Sequence, residues 1–141
     1  MAAVRKSRAL IDTSALLALA NPRDQYHTRA VHIAGSVVQS GRRLVGTTLI
    51  LAEFQAHLLY RTDTARARSV VSALFDDPLY EWLDVPADLV RTAFSAWIEK
   101  YHDQQLSLTD AVSFEVMARQ RIDEAFAFDQ HFVMVGFTQL V

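Results

Sequence analysis

Apolar positions in this chain fall into two patterns, short continuous blocks and longer stretches repeating at three and four. The blocks Ala9 to Ile11, Arg43 to Gly46, Glu124 to Phe128 and Phe137 to Val141 read as strands, and Leu79 to Val85 as a third strand or extended edge. Between them the spacing is helical. It predicts helices over Ala15 to Ala20, over Asp24 to Gln39 with Ala30, Val31, Ala34 and Val38 inward, and over Leu49 to Tyr60. Further helices are expected over Thr64 to Phe75, over Pro86 to His102 carrying Phe94, Trp97 and Ile98, and over Ser107 to Arg121. Thr47 and Thr48 suit a cap, while Asn21-Pro22, Gly41 and Asp76-Asp77-Pro78 are stops. Strands alternating with helices, often in pairs, imply an α/β fold whose parallel sheet is covered on both faces. Repeats, low-complexity segments and internal linkers are missing from the sequence.

Composition narrows this to a single domain over residues 1–141, since 51% hydrophobic and 21% charged residues exclude disorder. The chain has no cysteine, which removes disulfides and thiolate metal sites and fits a cytoplasmic location. No apolar run approaches about 18 residues, so no membrane-spanning helix is expected. The start of the chain imitates a signal peptide, but Asp12, Thr13 and Ser14 interrupt the apolar segment where it should be continuous. The net charge of −2 conceals an asymmetry: residues 1–70 hold ten Lys/Arg against four Asp/Glu, and residues 71–141 hold four against twelve. A basic half would attract a polyanion. An acidic half would repel one unless bound cations reverse the local sign.

The chemistry rests on where four acids fall. Asp12 directly follows a buried strand, at the carboxyl edge where open α/β proteins place their ligands, although Asp, Thr and Ser there would also cap a helix. Asp129 repeats that arrangement after Phe128, or else serves a turn. Glu53 shares its helical face with Leu49, Ile50, Ala56, His57 and Tyr60, an apolar face except for His57. A carboxylate there needs an arginine, a histidine or a metal. Ser107 and Asp110 have the spacing of a capping box, yet Asp110 shares its face with Ser113, Phe114 and Met117.

If the strands bearing Asp12 and Asp129 are neighbours, these acids meet on one edge, and the helix of Glu53 opens on the same edge. The helix of Asp110 follows another helix, so this rule does not place it. Four carboxylates in one crevice repel unless a cation joins them. Oxygen ligands select Mg²⁺ or Mn²⁺, ions that act on phosphates.

On these residues the chain resembles the PIN-domain nucleases, and among them the VapC-type toxins. The motifs that carry the likeness are Ile11-Asp12-Thr13-Ser14, Thr48 through Glu53, Leu106 through Ala111, and Phe126-Ala-Phe-Asp129-Gln-His-Phe132. The resemblance implies a PIN-like three-layer sandwich, a short parallel sheet of about four or five strands flanked by helices on both faces. It implies a metal-dependent endoribonuclease, the toxin of a type II toxin–antitoxin pair, with Asp12, Glu53, Asp110 and Asp129 as catalytic acids holding Mg²⁺ or Mn²⁺. Thr13, Ser14, Ser107 and Thr109 would be supporting hydroxyls. RNA substrate, a small antitoxin and a second copy of the chain are the implied partners, and no membrane.

Met1 to Ser7 departs from the pattern as a basic N-terminal extension. Asp103 is a candidate support for the acids. His131 is another, and would otherwise touch a phosphate or cap the turn after Asp129. Arg42, Arg43, Arg61, Arg66 and Arg68 would track an RNA backbone or simply be solvated.

Other phosphate chemistries fit less well. A phosphoaspartate receiver needs a lysine late in the chain, and none follows Lys100. A haloacid-dehalogenase-like enzyme wants an acid where Ser14 stands, and G-x-x-x-x-G-K is absent. His102-Asp103 is the dipeptide of a class of metal phosphohydrolases, but the other histidines, His27, His32, His57 and His131, fall outside the pattern those enzymes need. The remaining alternative is a catalytically silent PIN-fold domain that binds RNA or a partner.

Overall fold

A computed structural model describes residues 8–141; the basic segment Met1 to Ser7 lies outside them. Strands β1 (Arg8–Ile11), β2 (Arg43–Thr47), β3 (Tyr80–Leu83), β4 (Glu124–Phe126) and β5 (Thr138–Gln139) form one sheet in the order β3-β2-β1-β4-β5. All four pairings are parallel. Helices α1 (Thr13–Ala20) and α2 (His27–Gln39) link β1 to β2, and α3 (Thr48–Arg61) and α4 (Thr64–Asp76) link β2 to β3. After β3 come α5 (Ala87–Ala93), a π-helical stretch Phe94–Glu99 and α6 (Leu108–Gln120). The short α7 (His131–Met134) joins β4 to β5.

Parallel strands require crossovers, and these are right-handed almost without exception. Stepping from β1 towards β3 therefore puts α1 to α4 on one face, where α1 packs on α2 and α3, and α3 on α4. Stepping back across the sheet to β4 and β5 puts α5 to α7 on the other, where α5 packs on α6. Because β1 is central, its Ala9, Leu10 and Ile11 are fully buried, which explains an uninterrupted apolar strand. Phe54 and Leu58 fill the first interface, while Phe114 and Met117 fill the second. Phe114 meets Phe132 edge-on with ring centroids 5.0 Å apart. A satellite cluster of Leu89, Ala93, Ala111, Val112 and Val116 seals α5 to α6.

Gly46 pairs with Trp82 across β2 and β3, and the indole lies where a Cβ on Gly46 would stand. Trp82 in turn donates its indole N–H to Leu74 O at 3.3 Å. A side chain at position 46 would push the ring off the sheet.

The structure departs from the expected pattern at several points. The inward face of α2 is Ala30, Ile33 and Val37, leaving Val31 and Val38 exposed; both sets fit a helical repeat, and the packing partners of α2 select between them. The helix begins at His27 because Asp24 takes the Tyr26 N–H into a turn. The long helix expected from Pro86 is an α-helix only to Ala93, then widens into the π-helical stretch. Strand β4 ends at Phe126, two residues before Phe128.

Candidate functional site

The direction of strand addition reverses beside β1, between β1 and β4, and the crevice beyond their carboxyl ends is the place such sheets offer to ligands. Asp12 stands there as the N-cap of α1. Its Oδ2 accepts the Ser14 N–H at 3.1 Å and the Ser14 hydroxyl at 2.6 Å. That same hydroxyl oxygen accepts the Phe128 N–H at 3.0 Å. One serine thus ties the end of β1 to the loop leaving β4. The Phe128 ring is held by stacking on Tyr26, centroids 4.5 Å apart and 4° from parallel, with the Arg29 guanidinium 5.6 Å from its centre.

Asp129 follows on that loop. Its Oδ1 accepts the His131 N–H at 2.9 Å, and its carbonyl accepts the Gln139 side-chain amide at 2.8 Å. This turn folds the imidazole back, leaving His131 Nδ1 3.2 Å from Asp129 Oδ1 and 3.6 Å from Asp110 Oδ2. Asp110 arrives from the other side, in the first turn of α6. Ser107 Oγ accepts its N–H at 3.0 Å, so the cap uses the backbone and leaves the carboxylate for the crevice. Ligand atoms of Asp110, Asp129 and His131 all lie within 4.8 Å of one another.

Electrostatics links the remaining acids to this group. Burial raises the Asp12 carboxyl above its ordinary range, the Ser14 bonds oppose it, and Asp129 adds to the rise. Asp110 is pushed up to about 7, first by burial, then by the charges of Asp12 and Asp129, with Glu53 contributing and His131 opposing. Glu53 is half-buried on α3, and its face is the rim of the crevice. The core stripe of α3 is Ile50, Leu51, Phe54 and Leu58, so Ala56, His57 and Tyr60 are exposed and the expected apolar face does not form.

The hydroxyls divide. Ser14 bonds Asp12 and Ser107 caps α6, whereas among the described residues the Thr13 and Thr109 hydroxyls bond no acid. Thr13 Oγ1 is nevertheless buried without a partner in a residue only 5% exposed. Asp103 is exposed in the turn before α6 and is not among the charges that move Asp110. Of the arginines, Arg66 donates to Ala20 O at 2.9 Å. Arg42 pairs with Glu124, and Arg43 with Glu81, at the amino ends of the strands, opposite the acids. Among the described residues, no helix is long and apolar enough to cross a membrane.

His131, expected as a support for the acids or a cap on their turn, lies against two of the carboxylates at once. The signal was its separation of two from an acid that can accept its N–H. The residues present fit a divalent cation: carboxylates too close to stay charged alone, an imidazole nitrogen beside them, and a buried orphan hydroxyl.

Comparison with known proteins agrees with this architecture. Residues 9–137 match the PIN-domain family. The chain is 31% identical over 133 residues to the 23S rRNA-specific endonuclease VapC20 of Mycobacterium tuberculosis in two strains, covering 92% of this chain and 95% of the relative. It superposes on the crystal structure of M. tuberculosis VapC20, a sarcin-ricin loop cleaving toxin, with a TM-score of 0.83 and 28% identity, covering 92% and 96% of the two chains. The crystal structure of FitAcB from Neisseria gonorrhoeae shares the fold at a TM-score of 0.66 and 13% identity, covering 94% of this chain and 96% of that one. A parallel sheet reversing beside β1, acids gathered at that reversal, and a relative alike along nearly its whole length place this chain in the PIN-domain family.

Proposed function

We propose that this single-domain chain is a Mg²⁺- or Mn²⁺-dependent endoribonuclease, the toxin of a toxin–antitoxin pair. The observation that carries the reading is the position of Asp110. Its carboxyl lies against Asp129 and His131 and responds to the charges of Asp12 and Glu53, although the four acids come from distant parts of the chain.

Asp12, Asp110 and Asp129 would hold the cation, with Glu53 at the rim orienting water. The cation supplies charge neutralisation at phosphorus and lowers the pKa of bound water. The reaction is an in-line hydrolysis: the water oxygen bonds to phosphorus, the bond from phosphorus to the 3′ oxygen breaks, and that oxygen takes up a proton. The products are a 5′-phosphate and a 3′-hydroxyl. Ser14 keeps Asp12 and the Asp129 loop in register. Likeness to VapC20 favours a looped RNA as substrate. A small antitoxin across the crevice, a second copy of the chain and a cytoplasmic setting complete the reading.

The test is a digest of total RNA with mapped ends. Cleavage is expected with Mg²⁺ or Mn²⁺ and not in EDTA, and Asp12→Asn and Asp110→Asn should bind RNA without cutting it. Full activity in EDTA would sink the reading, and RNA retention with no product under any metal would favour the catalytically silent alternative.

A further inference from the structure

We propose that His131 is itself a metal ligand, through Nδ1, so that the site is a mixed carboxylate–imidazole centre favouring Mn²⁺ and later transition ions over Mg²⁺. This rests on the metal-dependent nuclease reading above and adds the identity of one ligand.

The geometry carries it. Nδ1 is buried, 3.2 Å from Asp129 Oδ1 and 3.6 Å from Asp110 Oδ2, yet it makes no hydrogen bond with either. At 3.2 Å the distance allows a bond, so its absence means that the nitrogen does not point along the line to the Asp129 oxygen. A nitrogen that merely capped the turn or paired with a carboxylate would be aligned. The turn is in any case already closed by the His131 backbone N–H on Asp129 Oδ1 at 2.9 Å.

The spacings also suit shared coordination. Ligands about 2.1 Å from one octahedral ion lie about 3 Å apart when adjacent and about 4.2 Å apart when opposite. The three ligand atoms, all within 4.8 Å of one another, need shift only slightly to reach those values. With Nδ1 coordinating, the proton sits on Nε2, and a side chain 28% exposed leaves that nitrogen access to water.

An imidazole changes the selectivity of the site. Carboxylates and water suit Mg²⁺, whereas each nitrogen ligand strengthens binding along the series from Mn²⁺ towards Zn²⁺. Replacing His131 with Gln should therefore lower Mn²⁺ affinity by about tenfold or more and Mg²⁺ affinity far less.

The decisive measurement is pulsed electron paramagnetic resonance of Mn²⁺ bound to the full chain. Wild type should show echo modulation from a directly bound ¹⁴N, replaced by the ¹⁵N pattern when histidine is isotopically labelled. His131→Gln, with folding checked by circular dichroism, should lose it. Mn²⁺ bound to wild type with no nitrogen modulation overturns the assignment and leaves the nuclease reading standing; the labelled wild type gives that answer even if the variant does not fold. Modulation that persists in folded His131→Gln overturns it too. Failure of wild type to bind Mn²⁺ overturns the assignment, and failure to bind Mg²⁺ as well would overturn both.

Discussion

Replacing Asp110 with asparagine should make the metal-free protein more stable, and by an amount that depends on pH. In the folded chain the Asp110 carboxyl is pushed from its ordinary 3.8 to about 7, chiefly by burial and by the charge of Asp12. The folded protein therefore keeps a proton that the unfolded chain has released, and its stability falls as pH rises from about 4 to about 7. At about 1.4 kcal/mol for each pKa unit, the full penalty approaches 4 kcal/mol at alkaline pH. Asparagine has nearly the same shape and no charge. Asp110→Asn should thus match wild type near pH 4 and exceed it by up to about 4 kcal/mol at pH 8.5. Urea unfolding followed by circular dichroism in EDTA at the two pH values measures the difference. Adding Mn²⁺ should stabilise wild type and leave the variant nearly unmoved, because only a folded state that binds the ion gains. A variant less stable than wild type at pH 8.5 would refute the reasoning, for it would mean that the Asp110 charge is welcomed where it lies.

The other predictions are shorter. Ser14→Ala removes both the hydroxyl donor to Asp12 and the acceptor of the Phe128 N–H, and should cost about 1–3 kcal/mol in chemical unfolding. It should also slow RNA cleavage by about tenfold or more, since the two acid-bearing loops lose their tie. Gly46→Ala should destabilise by about 1–3 kcal/mol because its Cβ meets the Trp82 ring, and a double-mutant cycle with Trp82→Leu should recover much of that loss. Mn²⁺ binding near pH 7 should release about half a proton from Asp110, measured by calorimetry in buffers of different ionisation enthalpy, and affinity should climb as pH rises through 7. Affinity independent of pH between 6 and 8 would contradict the raised carboxyl of Asp110.

Much of this architecture was legible along the chain because a central parallel strand leaves no room for polar residues. Ala9 to Ile11 and Ala125-Phe126 are apolar without alternation, and the acids that end such blocks mark the edge where the strands stop. What stayed hidden was decided by contacts between segments. Val31 and Val38 have the same chemistry as Ile33 and Val37, and only the partners of α2 select which pair turns inward. Trp82 is uninformative alone and explained once Gly46 is known to be opposite. For Glu53, helical neighbours predicted a buried face, but α3 is rotated so that Phe54 takes the core and Glu53 the rim. The imidazole of His131 depended on a turn whose conformation periodicity does not encode.

The placement of charge follows from the same sheet geometry and sets the order of events at the crevice. Arg8, Arg42 and Arg43 begin strands or precede them, so they collect at the amino edge and are engaged there with Glu81 and Glu124. The acids end strands or open helices and collect at the opposite edge. Arg8, Arg42 and Arg43 consequently do not line the acidic crevice, whereas Arg29 stands beside Phe128 on the loop that leads to Asp129. An anionic RNA approaching the crevice meets carboxylates that already push Asp110 towards neutrality. In the proposed nuclease the cation therefore comes first. It replaces the proton that Asp110 would otherwise keep, and it reverses the sign of the surface that the phosphate must touch.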